Sequence, residues 1–140
     1  MARKPYIPEG YAEVTPYLLN DNAAAVIDFL VEVFGATVIE RTDREDGSLL
    51  HADIAIGDAR LMIGNATSEY PAMPATFYLY VDDVDAAYER ALRAGGTSIL
   101  EPRDMDYGDR NGGVGDPGGN VWWVSTPLKH LKATSNSNGT

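Results

Sequence analysis

Two stretches of this 140-residue chain say nearly the same thing. Tyr17 to Glu40 (YLLNDNAAAVIDFLVEVFGATVIE) lies over Tyr78 to Glu101 (YLYVDDVDAAYERALRAGGTSILE) without a gap, at a constant offset of 61 residues. The overlay matches Leu18 to Leu79, Asp21 to Asp82, Ala25 to Ala86 and Gly35 to Gly96. Both stretches read as strand, helix, strand. The same offset lays the Gly57-Asp58 turn and the strand Arg60 to Ile63 onto the Gly118-Gly119 turn and Val121 to Val124. Self-similarity at a fixed period marks a repeated supersecondary unit. The chain is therefore expected to be α+β, with two βαβββ modules, one over about 12–66 and the other over about 74–127.

Within module one, a proline-bearing lead up to about residue 11 precedes a strand from Glu13 to Leu19, which Pro16 restricts to a place where one edge is free or faces another subunit. Asp21 or Asn22 can cap the following helix, whose buried stripe is Val26, Ile27, Leu30, Val33 and Phe34, and Gly35 ends it. After the Asp43 to Gly47 turn, Ala52, Ile54 and Ile56 alternate with His51, Asp53 and Ala55. In module two, Thr76, Tyr78 and Tyr80 alternate with Phe77, Leu79 and Val81, and Asp82 or Asp83 caps a helix with Val84, Ala87, Tyr88, Ala91 and Leu92 inward. The glycines between Tyr107 and Asn120 read as turn and bulge positions. They form no phosphate loop, because that loop needs Gly-Lys-Ser/Thr opening a helix and here a strand follows. From 129 to 140 the chain is expected to be a disordered polar tail, leaving 1–128 as a single domain.

A net charge of −10 at pH 7 and a pI near 4.4 set the chain against phosphate backbones and anionic membranes, so neither nucleic acid nor membrane is expected as a partner. A neutral or cationic ligand is easier to hold. The absence of cysteine removes disulfides, thiolate nucleophiles and Cys-ligated zinc. The start, MARKPYIPEGY, carries no apolar run, and a cytoplasmic protein is the default.

The two modules, Val14-Thr15-Pro16-Tyr17-Leu18, Phe34-Gly35-Ala36, His51-Ala52-Asp53 with Ile56-Gly57-Asp58, and the block from Gly108-Asp109-Arg110 to Asp116-Pro117-Gly118-Gly119-Asn120 together resemble the vicinal oxygen chelate superfamily: glyoxalase I, bleomycin resistance proteins and extradiol dioxygenases. The PhnB-like branch is the nearest. The resemblance covers roughly residues 8 to 127. It implies a U-shaped mixed sheet around a cavity, in a homodimer. In the metalloenzyme branches four His, Glu or Gln side chains meet a divalent metal there, and those positions here are Thr15, Met62, Thr76 and Trp123. Hydroxyl, thioether and indole are poor ligands or none for such metals, so no metal and no cofactor are expected.

On the face that the resemblance turns to the cavity, His51 and Asp53 can form a base and its orienter, or a polar pair lining the pocket. Thr76, Tyr78, Tyr80 and Trp123 with Met62 make an aromatic, sulfur-bearing wall suited to stacking on a planar or cationic ligand, or a filled core. Tyr107 and Arg110 join that candidate set. Arg110 can clamp a ligand anion or anchor its loop on Asp106, Asp109 or Asp116. The expected function is sequestration of a small cationic or aromatic compound, as in antibiotic resistance. The alternative is a glyoxalase-like isomerase, lyase or dioxygenase using a displaced metal site or His51 as base.

Overall fold

A computed structural model describes residues 4–138. The elements run β1 (Tyr17–Asn20), α1 (Ala23–Phe34), β2 (Thr37–Asp43), β3 (Leu49–Ile56), β4 (Ala59–Asn65), β5 (Thr76–Tyr80), α2 (Val84–Arg93), β6 (Thr97–Asp104), β7 (Asp109–Gly115), β8 (Val121–Pro127) and α3 (Leu128–Asn138). They fall into two compact units that meet in sequence between Pro74 and Ala75. Each unit has one four-stranded mixed sheet, ordered β1-β4-β3-β2 in unit one and β5-β8-β7-β6 in unit two. The first strand of each unit pairs parallel with the last, and the remaining neighbours are antiparallel. Two βαβββ modules are therefore present, and their register repeats at the sequence offset: Tyr17 faces Met62 in unit one as Tyr78 faces Trp123 in unit two.

In unit one, α1 buries Val26, Ile27, Phe29, Leu30 and Val33 against the face of the sheet that carries Leu18, Ala52, Ile54, Leu61 and Ile63. Each large aliphatic or aromatic side chain so buried contributes about 1.5–3 kcal/mol. Gly35 ends the helix in the left-handed region, at φ 67°. Asn22 stands at the N-cap without a side-chain bond. Asn65, at the end of β4, accepts instead from the Ala23 N–H at 3.0 Å. A strand side chain thus satisfies one of the four N–H groups that every helix start leaves open.

The first strand is shorter than the expected 13–19. Pro16 has no N–H to give, and only its carbonyl joins the ladder, accepting from Met62 at 2.9 Å. As expected, β1 is an edge strand. In unit two, Asp83 is the cap, accepting from Ala86 N–H at 3.1 Å, and Trp122 stacks on Phe77 with ring centroids 4.4 Å apart in the core beneath α2.

Two expectations are corrected. Of the glycines read as turn or bulge positions, Gly112, Gly113 and Gly115 lie inside strand β7 and in no turn, while the two register shifts in its pairing with β6 fall beside Gly112 and Gly113. The segment expected to be a disordered tail is helical through Asn138. Its first turn is fastened to unit two by the Leu128 N–H on the Gly108 carbonyl at 2.9 Å and by His130 Nε2, 2.6 Å from Asp82 Oδ1. Residues 1–3 of the lead and 139–140 of the tail lie outside the described residues.

Candidate functional site

Each sheet turns one face to its helix, and the candidate residues His51, Asp53, Met62, Thr76, Tyr78, Tyr80 and Trp123 sit on the other. In unit two that face is built in rows. Tyr78, Trp123, Gly113 and Leu100 are register neighbours in one row; Tyr80, Ser125, Asn111 and Arg103 form the next. Trp123 lies down across the sheet. Its Nε1–H donates to Thr76 Oγ1 at 3.0 Å, and its six-membered ring covers Gly113 so closely that a Cβ there would meet Cζ3 at 2.6 Å. Tyr78 packs edge-on to Tyr80, with centroids 5.4 Å apart, and donates its hydroxyl to Asp109 Oδ2 at 2.6 Å. Partial burial, and then the Asp109 carboxylate, push this phenol well above its ordinary range, so it stays protonated and neutral. Tyr78, Tyr80 and Tyr107 expose 45%, 62% and 60% of their surface, making an aromatic face that is open within this unit.

Arg110 is not part of it. Its register partner Thr126 shares the helix-facing side, and the guanidinium forks onto both oxygens of Asp85 in α2 at 2.8 and 2.9 Å and onto Asp104 at 3.0 Å. These bonds raise the arginine further and hold the Asp85 carboxyl below the usual carboxylate range. Arg110 thus ties α2 to the sheet, through partners other than those expected from the sequence. Asp116 is likewise engaged, accepting from Gly118 N, Asn120 N, Asn120 Nδ2 and Trp122 Nε1 at 2.8–3.0 Å. This fixes the Asp-Pro-Gly-Gly-Asn turn as structure.

In unit one the corresponding face carries Tyr17, Met62, Asp53 and Glu40 as one register row. His51 Nε2 lies 2.9 Å from Asp53 Oδ1, and His51 Nδ1 lies 3.3 Å from the Tyr17 hydroxyl. The carboxylate favours the Nε2–H tautomer, leaving Nδ1 to accept from the phenol. Both ring nitrogens are therefore engaged, and the pair expected from alternation is formed. The lead drapes this face. Tyr11 lies against Arg60, whose guanidinium carbon is 5.3 Å from the ring centroid. Partial burial first, and then Asp53, push the Tyr11 phenol up, with Arg60 pulling it down. Gly10, at φ 87°, leaves room for the same arginine. Between lead and sheet, Thr15 and Met62 line a cavity of about 310 Å³ with Tyr6, Ile7, Tyr11 and Glu13. No sequence signal marks Tyr6, Ile7, Tyr11 and Glu13 as lining residues, because nothing in the residues before β1 says which strand they cross.

The four positions singled out by resemblance do not fit a divalent metal. Thr15 and Met62 offer a hydroxyl and a thioether, and the Trp123 N–H has no lone pair to give and is spent on Thr76. Among the described residues no group of three or more His, Cys, Asp or Glu side chains stands ready to hold one. None of their helices is long and apolar enough to cross a membrane.

The chain belongs to the glyoxalase/bleomycin resistance protein/dioxygenase superfamily, whose family model matches residues 12–124. An uncharacterized protein of Mycobacterium bovis is 34% identical over 129 residues, covering 84% of this chain and 85% of that protein. Among solved structures, TioX from Micromonospora sp. ML1 shares the fold at TM-score 0.70 and 24% identity, over 84% of this chain and 99% of that one. A PhnB protein from Bacillus cereus aligns at TM-score 0.67 and 15% identity, over 82% and 99%. TnmS3, an antibiotic binding protein from Streptomyces sp. CB03234, aligns at TM-score 0.62 and 22% identity, over 83% and 97%.

Proposed function

We propose that this chain binds a small planar organic molecule, aromatic and neutral or cationic, on the open face of its second sheet, and does so without a metal. The observation that carries this reading is Trp123, laid flat between Gly113 and Thr76 beside the exposed rings of Tyr78 and Tyr80. A pre-set aromatic floor presents a π-face with little ordering cost on binding. Asp109 and the net charge of −10 favour a cation over an anion. TnmS3 shows that a protein of this fold is an antibiotic binding protein, which supports sequestration as the role. A homodimer belongs to the same proposal.

The test is a titration with proflavine, a planar cation, against naphthalene-2-sulfonate, a planar anion, followed by tryptophan emission. Saturable quenching by proflavine is expected, weakened about fivefold or more in Trp123→Ala and in Tyr78→Ala, because stacking on one aromatic side chain is worth on the order of 1–3 kcal/mol. Quenching equal for both compounds, or untouched by the substitutions, would contradict it.

A second reading rests on the 2.9 Å His51–Asp53 contact: an isomerase, lyase or dioxygenase with His51 as base, or with a displaced metal. In that case His51→Ala abolishes turnover while leaving proflavine binding intact.

A further inference from the structure

Strand β8 runs between β5 and β7, and α3 continues it without a break: β8 ends at Pro127 and the helix begins at Leu128. A helix that leaves a central strand starts within reach of the neighbouring strand ends on both sides, and α3 holds both. Towards β7, its first N–H, which has no partner inside the helix, donates from Leu128 to the Gly108 carbonyl at 2.9 Å. Towards β5, His130 Nε2 lies 2.6 Å from Asp82 Oδ1. An ionised carboxylate only accepts, so Nε2 carries the hydrogen. Leu128 and Leu131 are half-buried while Lys129, His130 and Lys132 are exposed, so the helix has a narrow apolar footing and its polar contacts set its position. The family match ends at residue 124, and these contacts of α3 lie beyond it.

The two points so joined differ in firmness. Asp82 is a fixed post: before it, Val81 donates to the Ser125 carbonyl at 2.9 Å and accepts from Thr126 Oγ1 at 2.7 Å, and after it Asp83 caps α2. Gly108 belongs to a turn at the rim, closed by the Met105 N–H on the Asp109 carbonyl at 2.8 Å. That turn carries Tyr107 and leads into Asp109, the acceptor of the Tyr78 hydroxyl. We infer that α3 is a clamp across this end of the second sheet, with His130 as a positioning residue for the aromatic face. By seating the first turn of α3 on Asp82, His130 keeps the Leu128 N–H aimed at Gly108, and so sets where Tyr107 and Asp109 stand. It touches no ligand. The inference rests on the reading of that face as a binding site. Because His130 and Asp82 are both exposed, the contact is a weak one, and its effect on affinity is graded rather than all-or-none.

The experiment uses the full chain with carbon-13 at the tyrosine Cε positions, titrated with proflavine at a temperature where every variant is folded. His130→Ala is expected to shift the Tyr107 and Tyr78 resonances before any ligand is added, and to weaken proflavine about two- to fivefold, the range one exposed polar pair spans. His130→Gln, whose side-chain amide donates from nearly the place of Nε2, should restore both. Alanine is the better helix former, so a loss with alanine and a recovery with glutamine are not effects of helix propensity. In an Asp82→Ala background His130→Ala should have no further effect, because the two residues act as one contact. Lys132→Ala, which removes an exposed charge from the same helix, should leave resonances and affinity as in wild type. Resonances and affinity unmoved by His130→Ala, no rescue by glutamine, or an undiminished effect in the Asp82→Ala background would overturn the clamp. If the wild-type chain binds no proflavine, the reading of the open face fails, while the tyrosine resonances, read without ligand, still decide for or against the clamp.

Discussion

Trp123 can lie flat only because residue 113 has no side chain. A Cβ at that position would stand 2.6 and 2.8 Å from two ring carbons, inside any permitted contact, so the ring or the strand has to move. Gly113→Ala is accordingly expected to cost about 1–3 kcal/mol as an overpacking change, to shift tryptophan emission and to weaken proflavine. Denaturant unfolding and the emission spectrum check this; an alanine variant with unaltered spectrum and affinity would show that the flat ring is dispensable. At this scale the sequence was partly legible. Alternation placed Thr76, Tyr78 and Tyr80 on one face because a strand's period is two. The partners were not legible: Asp109 for Tyr78 and Thr76 for Trp123 depend on which strands lie side by side. Arg110 shows the limit best. Acids near it in sequence looked available, while the ones it bonds include Asp85, 25 residues away on a helix.

That bond is also what joins elements. Asp85 sits in the first turn of α2 and Arg110 near the start of β7, so their fork links a helix to the sheet it covers. The Asp85 carboxyl is held below the 3.8 of a free aspartate, chiefly by the hydrogen bonds of Arg110. A carboxyl with a lowered folded-state value contributes stability that is present above its unfolded value and is lost as pH falls through the folded one. Asp85→Asn should therefore lower stability at pH 7 by about 1 kcal/mol, discounted because the carboxylate is more than half exposed. The gap between variant and wild type should close on acidification below the ordinary aspartate range. Urea unfolding across that range measures it, and a gap constant with pH would assign the variant's effect to something other than the ion pair. The order of elements from β1 to β8 was readable from the repeat. The strand glycines were not, since Gly-rich runs signal turns more often than close approach, and neither was α3, whose anchors on Asp82 and Gly108 are tertiary.

For the molecule as a whole, duplication explains both the fold and the divergence of its two faces. The register pair Tyr17–Met62 in unit one recurs as Tyr78–Trp123 in unit two, yet the first face is draped by the lead while the second is open within its unit. On the proposed reading, the net charge of −10 and the exposed edge-on pair of Tyr78 and Tyr80 favour planar and cationic organic ligands over phosphates. The most direct measurement is the proflavine titration on chelator-treated protein, repeated with zinc, nickel, manganese and ferrous iron added. Binding of one proflavine per open aromatic face, with the same affinity in every case, is the predicted result. Binding that appears only when a metal is restored would contradict a metal-independent aromatic site.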